Sequence, residues 1–173
     1  WYKGLGATAV GKQRDLFKET FLWTGDSKLF LAILKSVEDQ LNVDFDTREG
    51  FIRVILLVED NIAYYSRFLP LLYEEIVKQT QRVIGDEYTL GQKTLRMRAR
   101  PKVVMAHDYE EAQKLYELYK HSLLCIISDV RYPVQGKYST SAGVDFVEKV
   151  RKDQSTLPIV LQSTDPRHWT KAH

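Results

Sequence analysis

Residues 123–129, LLCIISD, limit the possible folds more than any other stretch. They form an apolar run, β-branched at Ile126 and Ile127, that ends in the carboxylate of Asp129. The turn-rich segment RYPVQGKYSTSAG follows at once. A continuous apolar run bounded by breakers predicts a strand buried on both faces of a parallel sheet. In open α/β sheets, ligands gather outside the carboxyl ends of the strands. Asp129 is therefore expected at the edge where chemistry takes place.

The rest of the chain supports such a sheet. From residue 51 onward, strand and helix patterns alternate. FIRVILLVED (51–60) reads as a strand ending in Glu59 and Asp60, followed by a long helix with Asn61 as its cap. Pro70 is expected to kink or break that helix. KVVMAHD (102–108) is a strand, and YEEAQKLYELYKHS a helix with Ala112, Leu115 and Leu118 inward. After the Asp129 strand and a long loop, residues 143–153 form a helix and LPIVLQST (157–164) a further strand. This order predicts an α/β fold with a doubly wound parallel sheet.

Upstream, ETFLW (19–23) reads as a short strand. TGDS breaks it, with Asp26 or Ser27 capping a helix over 28–41. Leu29, Ile33, Val37 and Leu41 are its apolar stripe, and NVDFDTREG is a polar connector. GATAVGK lacks the spacing of a phosphate loop. The basic run Lys93, Arg96, Arg98, Arg100 and Lys102 reads as a solvated linker face.

Composition excludes several classes. At 173 residues and 44% hydrophobic content the chain is one ordinary domain, or one with an extra piece. A net charge of +2 gives no general attraction to nucleic acid or an anionic membrane. The single cysteine, Cys125, rules out an internal disulfide framework and is expected to be a buried, inert thiol. With no span-length apolar stretch and no secretory signal, the expected location is cytoplasmic. The start, WYKGLGATAVGK, carries no initiator Met and reads as the interior of a longer chain.

Three strands thus deliver polar groups to one edge: Glu59 and Asp60, then Asp129, then Ser163 or Thr164. Converging carboxylates repel one another and call for a cation, and hard oxygen ligands suit Mg²⁺. One carboxylate can then serve as a nucleophile towards phosphorus, with a neighbouring hydroxyl bonding a phosphoryl oxygen.

RVILLVEDN, IISDVRYP and LPIVLQST, in that order, resemble the signature strands of the receiver domains of two-component response regulators. The resemblance covers roughly residues 51–166. It implies a flavodoxin-like receiver fold with strand order 2-1-3-4-5. Asp129 would be the phosphoacceptor and Ser163 the switch hydroxyl, with Thr164 as second choice. Asp60 would ligate Mg²⁺ directly, Glu59 through water, and the carbonyl of Arg131 would complete the protein ligands. The implied role is a signalling module that accepts a phosphoryl group, from a sensor histidine kinase or phosphotransfer protein, and switches partner interactions. The family's fifth strand, with its Lys, would lie beyond His173. The loop after Asp129 is also longer than usual for the family.

FLWTGDSKLFLAILKSVED resembles the last strand and helix of a receiver, with Thr24 in place of the Lys. Residues 1–50 are therefore expected to be the remnant of a preceding degenerate receiver plus linker, and 51–173 a receiver cut short after its fourth strand. Together with LRMRARPKVV, this is similar to the tandem receiver-like region ahead of pyruvate phosphate dikinase or phosphoenolpyruvate synthase-like proteins, whose catalysis would reside elsewhere. Strand 19–23 is expected to complete the sheet beside 157–164. An open edge there would favour pairing within one chain or between two, and a homodimer is a candidate assembly. The tyrosines of helices 61–80 and 109–121 read mostly as packing surface, with Tyr64, Tyr65 and Tyr73 as candidate interface contributors. The competing reading is a pseudo-receiver that binds partners or dimerises without phosphorylation. A phosphohydrolase of the haloacid dehalogenase kind is disfavoured, because its second Asp is replaced by Arg131.

Overall fold

The computed structural model describes residues 19–83, 89, 91–92 and 99–163. Four parallel strands form the sheet: β1 (Val54–Val58), β2 (Lys102–Ala106), β3 (Leu123–Asp129) and β6 (Ile159–Gln162), in spatial order β2-β1-β3-β6. Two short antiparallel strands, β4 (Tyr132–Val134) and β5 (Lys137–Ser139), make a separate hairpin. The helices are α1 (Lys28–Glu49), α2 (Ile62–Val83), α3 (Tyr109–Tyr119) and α4 (Ala142–Asp153). The protein is α/β, with helices packed against both faces of its sheet.

β1 is the strand whose residues are buried throughout. Its side chains alternate: Val54, Leu56 and Val58 face α3 and α4, where Tyr116, Phe146 and Val150 wait. Ile55 and Leu57 face the other way, onto Ala32 of α1 and Tyr65, Leu69 and Tyr73 of α2. Each such side chain contributes about 1.5–3 kcal/mol on burial, so the centre of the sheet rests on VILLV. The LLCIISD run is only partly covered: Leu124 is exposed and Cys125 half-buried. Burial still pushes the Cys125 thiol up.

α1 departs most from expectation. It does not stop at Leu41 but continues through the supposed connector to Glu49. Its inward side chains are Leu29, Ala32, Ser36, Asp39 and Val43, whereas Val37 and Leu41 face out. The reason lies in β2. The Asp39 carboxylate accepts two bonds from the Arg100 guanidinium, at 3.0 and 2.7 Å, one from the Tyr73 hydroxyl at 3.0 Å and one from the Val103 amide at 2.9 Å. Lys102 Nζ sits 2.9 Å from Asp46. Arg100 and Lys102, expected on a solvated face, are each only 1% exposed. A buried charge must be paired, and here three carboxylates of α1 do the pairing, Glu38 lying 3.4 Å from Arg100 beside Asp39 and Asp46. Burial opposes the charge on Arg100, but its bonds to Asp39 outweigh that and raise its pKa. Lys93, Arg96 and Arg98 lie outside the described residues, as does the GATAVGK segment.

At the end of α1 the amides of Gly50 and Ile52 both donate to the Asp46 carbonyl, at 3.0 and 3.1 Å. Between them Phe51 adopts a left-handed backbone, φ 51°, with its ring 85% exposed.

Residues 19–23 enter no ladder of the sheet. They are held against the helices instead. The Leu22 amide donates to Ser66 Oγ at 2.9 Å, the Tyr65 hydroxyl bonds the Thr20 carbonyl, and Phe21 meets Tyr65 edge-on at 5.8 Å. Glu19 accepts from Ser36 and Gln40. With its polar backbone taken up by helix side chains, this segment does not serve as a fifth strand.

Smaller corrections follow from packing. α2 runs without interruption past a buried Pro70. Tyr65 and Tyr73 are core residues rather than interface residues, and only Tyr64 of the three is exposed. α3 turns Ala112, Tyr116 and Tyr119 inward and leaves Leu118 in solvent. Asp26, not Ser27, satisfies an amide at the start of α1, accepting from Lys28 at 2.9 Å. No described helix is long and apolar enough to cross a membrane.

Candidate functional site

β1 and β3 are neighbours in parallel register, with Val58 beside Ser128. Residues just past the end of β1 and at the end of β3 therefore emerge side by side. Glu59, Asp60 and Asp129 each place a carboxylate oxygen within 4.8 Å of the others. Glu59 is 4% exposed, while Asp60 and Asp129 are half-buried. Oxygen donors of this kind and spacing match what a hard divalent cation requires.

Glu59 and Asp129 are anchored locally. Glu59 Oε1 accepts from the Asn61 amide at 3.1 Å, and Glu59 Oε2 from Gln162 Nε2 at 3.1 Å. Asp129 Oδ1 accepts from the Val130 amide at 2.7 Å. Burial, above all, raises the Glu59 carboxyl to a pKa of about 7. The nearby Asp129 and Asp60 push the same way, and the bonds from Asn61 and Gln162 only partly offset this. The buried acid therefore holds a proton near neutrality until a positive charge displaces it.

Asn61 caps α2, its Oδ1 accepting from the Ala63 amide at 2.9 Å. His107, for which the sequence shows no partner, places Nδ1 2.9 Å from the Glu59 carbonyl. A carbonyl only accepts, so Nδ1 carries the proton in that contact. His107 also packs on the Tyr65 ring at 5.4 Å. It supports the acidic edge from behind.

Two clefts open on the acids. One, about 300 Å³, is lined by Glu59, Tyr64, Arg67, Phe68, Asp129 and Ser163, among others. The second, about 600 Å³, has Asp60, Asn61, Asp129, Arg131 and Tyr138 in its wall. Ser163 thus shares a cleft with Glu59 and Asp129, and Arg131 shares one with Asp60 and Asp129. Thr164 lies outside the described residues.

No family model, curated protein or solved structure matches the chain. What the site can do is therefore argued from its own geometry.

Three contributors were not anticipated. Gln162 stands opposite Asp129 in the β3–β6 ladder and reaches across to Glu59. The signal was a polar residue closing the apolar run LPIVLQ. Gly143 allows α4 to approach Asp129: a Cβ there would lie 2.2 Å from the Asp129 carbonyl oxygen, and the Gly143 amide donates to the Val130 carbonyl at 3.0 Å. The long loop contains the β4–β5 hairpin, which carries Tyr138 to the second cleft. Its turn residues Gln135 and Gly136 have φ 50° and 73°. A two-residue, glycine-containing turn between short strands is the signal that would have found it.

Proposed function

We propose that this protein is a signalling receiver module that accepts a phosphoryl group on Asp129. The observation that carries the reading is the meeting of Glu59, Asp60 and Asp129 within 4.8 Å, on two adjacent strand ends. Ser163 lines the cleft that Glu59 and Asp129 share. In this reading the flavodoxin-like receiver order extends β2-β1-β3-β6 by a further strand beyond β6, and the module works in the cytoplasm. It would form part of a larger protein similar to the dikinases or synthases named above.

The residues present suit Mg²⁺: Asp60 and Asp129 would hold it directly, Glu59 through water, and the Arg131 carbonyl would add a neutral oxygen. The cation supplies charge neutralisation for the incoming phosphoryl oxygens. The chain's own residues do the rest. An Asp129 carboxylate oxygen bonds to phosphorus as the bond from phosphorus to the donor breaks, and the electron pair leaves with the donor. A histidine kinase or phosphotransfer protein provides that donor. The Ser163 hydroxyl donates to a phosphoryl oxygen and couples the phosphorylated state to the surface near β6.

The test is beryllofluoride, which stands in for the phosphoryl group, titrated with Mg²⁺ into the full chain and into Asp129→Asn. Saturable, Mg²⁺-dependent binding lost in Asp129→Asn is the expected result. Absence of binding to the unaltered chain, with Mg²⁺ shown to bind, would favour the interaction module without phosphoryl chemistry.

A further inference from the structure

The second cleft is larger than a phosphoryl group needs. At about 600 Å³ it has the size that holds a small organic ligand, and its walls are of two kinds. Asp60 and Asp129 supply carboxylates. Leu22, Ile62, Tyr64 and Tyr138 supply apolar and aromatic surface, and they are 44%, 38%, 46% and 62% exposed. These four come from three separate stretches: the 19–23 segment, the first turn of α2, and β5.

Tyr138 is the wall residue that the local fold positions most directly. Side chains alternate along a strand. Tyr132 is fully buried, and Val134 packs against the same core. Pro133 between them therefore faces away from that core, and so does Tyr138, its partner across the hairpin. The turn is tied down as well, the Gln135 amide donating to Glu110 of α3 at 3.1 Å. A ring left exposed on a braced hairpin, in the wall of a cleft that holds two acids, is surface offered to a ligand.

The direction of phosphoryl transfer decides which part of the ligand meets it. Attacking and leaving atoms lie roughly in line through phosphorus. The group that brings the phosphoryl to Asp129 therefore departs on the side away from the carboxylate, towards the open part of the cleft. The surface it meets there is aromatic and apolar. A planar ring gains from such walls by offset or edge-on stacking, whereas an acetyl group has no face to stack.

We infer that Tyr138 determines donor specificity at this site, its ring packing on the imidazole of a phosphohistidine so that phosphoimidazole donors are preferred to acyl phosphates. This rests on the phosphoryl reading given above. In the step, the phosphorus–nitrogen bond breaks as a bond forms from phosphorus to an Asp129 carboxylate oxygen. The electron pair goes to the ring nitrogen, and the ring, protonated on its other nitrogen, departs as neutral imidazole.

The test follows phosphorylation of the full chain by intact mass, with Mg²⁺ and either phosphoimidazole or acetyl phosphate as donor. The unaltered chain, Tyr138→Ala and Tyr138→Phe are compared. In Tyr138→Ala the half-saturating concentration of phosphoimidazole should rise about three- to tenfold with little change in the limiting rate. The ratio of the two donors' second-order rates should fall by the same factor, and Tyr138→Phe should restore it. Tyr138 is exposed, so the circular dichroism spectrum should be the same in all three. A donor ratio that Tyr138→Ala leaves unmoved overturns the inference, as does an equal loss with both donors. Beryllofluoride separates the two levels. If it binds and the ratio does not move, only the role of Tyr138 falls; if it does not bind, the phosphoryl reading falls and takes this inference with it.

Discussion

The side-chain amide of Gln162 donates to the carboxylate of Glu59 across 3.1 Å, although 103 residues separate them in the chain. The bond links the end of β6 to the end of β1 over the intervening β3. It steadies an acid that burial holds protonated to a pKa of about 7.

Divalent binding should therefore depend on pH through Glu59. A cation needs the ionised carboxylate, so protons compete with it, and Mg²⁺ affinity should fall as pH drops below about 7. Without metal the sign reverses for stability. The folded pKa lies above the ordinary 4.5, so the group's contribution is complete below that value and lost as pH climbs through about 7. Calorimetric Mg²⁺ titrations across this range should show the dependence in the unaltered chain and its loss in Glu59→Gln. Gln162→Leu removes a bond that favours the charged form and should move the midpoint to higher pH.

The Asp39–Arg100 pair should be indispensable once half of it is present. Asp39→Ala leaves a buried guanidinium with only the longer contact to Glu38 at 3.4 Å and should cost about 3–5 kcal/mol in urea unfolding. The paired change Asp39→Leu with Arg100→Met should cost clearly less than Asp39→Ala. Equal losses would show that the two charges do not act together.

Phe51 is a place to gain stability. Its left-handed backbone at φ 51° strains any branched or bulky residue, and its ring buries little. Phe51→Gly should raise stability by about 0.5–1 kcal/mol, the relief of strain exceeding the entropy cost of glycine. Thermal unfolding read by circular dichroism measures it.

Gly143 should tolerate no side chain. The added methyl of Gly143→Ala would fall 2.2 Å from the Asp129 carbonyl oxygen, so backbone must move. We expect a loss of about 1–3 kcal/mol and weaker Mg²⁺ binding than in the unaltered chain. Unchanged affinity would mean that Asp129 keeps its place despite the shift of α4.

Much of the sheet and all three acids were legible in the sequence. Both features are local: an apolar run ending in a carboxylate marks a strand and its working end within one short window, as at VILLVED and LLCIISD. The misreadings share a different cause. Lys102 and Arg100 look like a solvated run because their partners, Asp46 and Asp39, lie on α1, Asp39 being 61 positions from Arg100. The same pairing makes NVDFDTRE look like a polar connector, when its Asp46 faces the buried Lys102. Residues 19–23 have strand composition, but Ser36, Gln40, Tyr65 and Ser66 engage them before any strand edge does. Pattern within a window cannot report a contact whose other half is elsewhere.

The turn between α1 and β1 carries a mechanical implication. Two amides close on the one Asp46 carbonyl, and Lys102 grips the side chain of the same residue, so three contacts tie this joint. A tug or twist applied to the outer surface of α1 would reach, through this joint, a five-residue rod whose far end bears Glu59 and Asp60. Helix and strand together make a lever, with the acids at its tip.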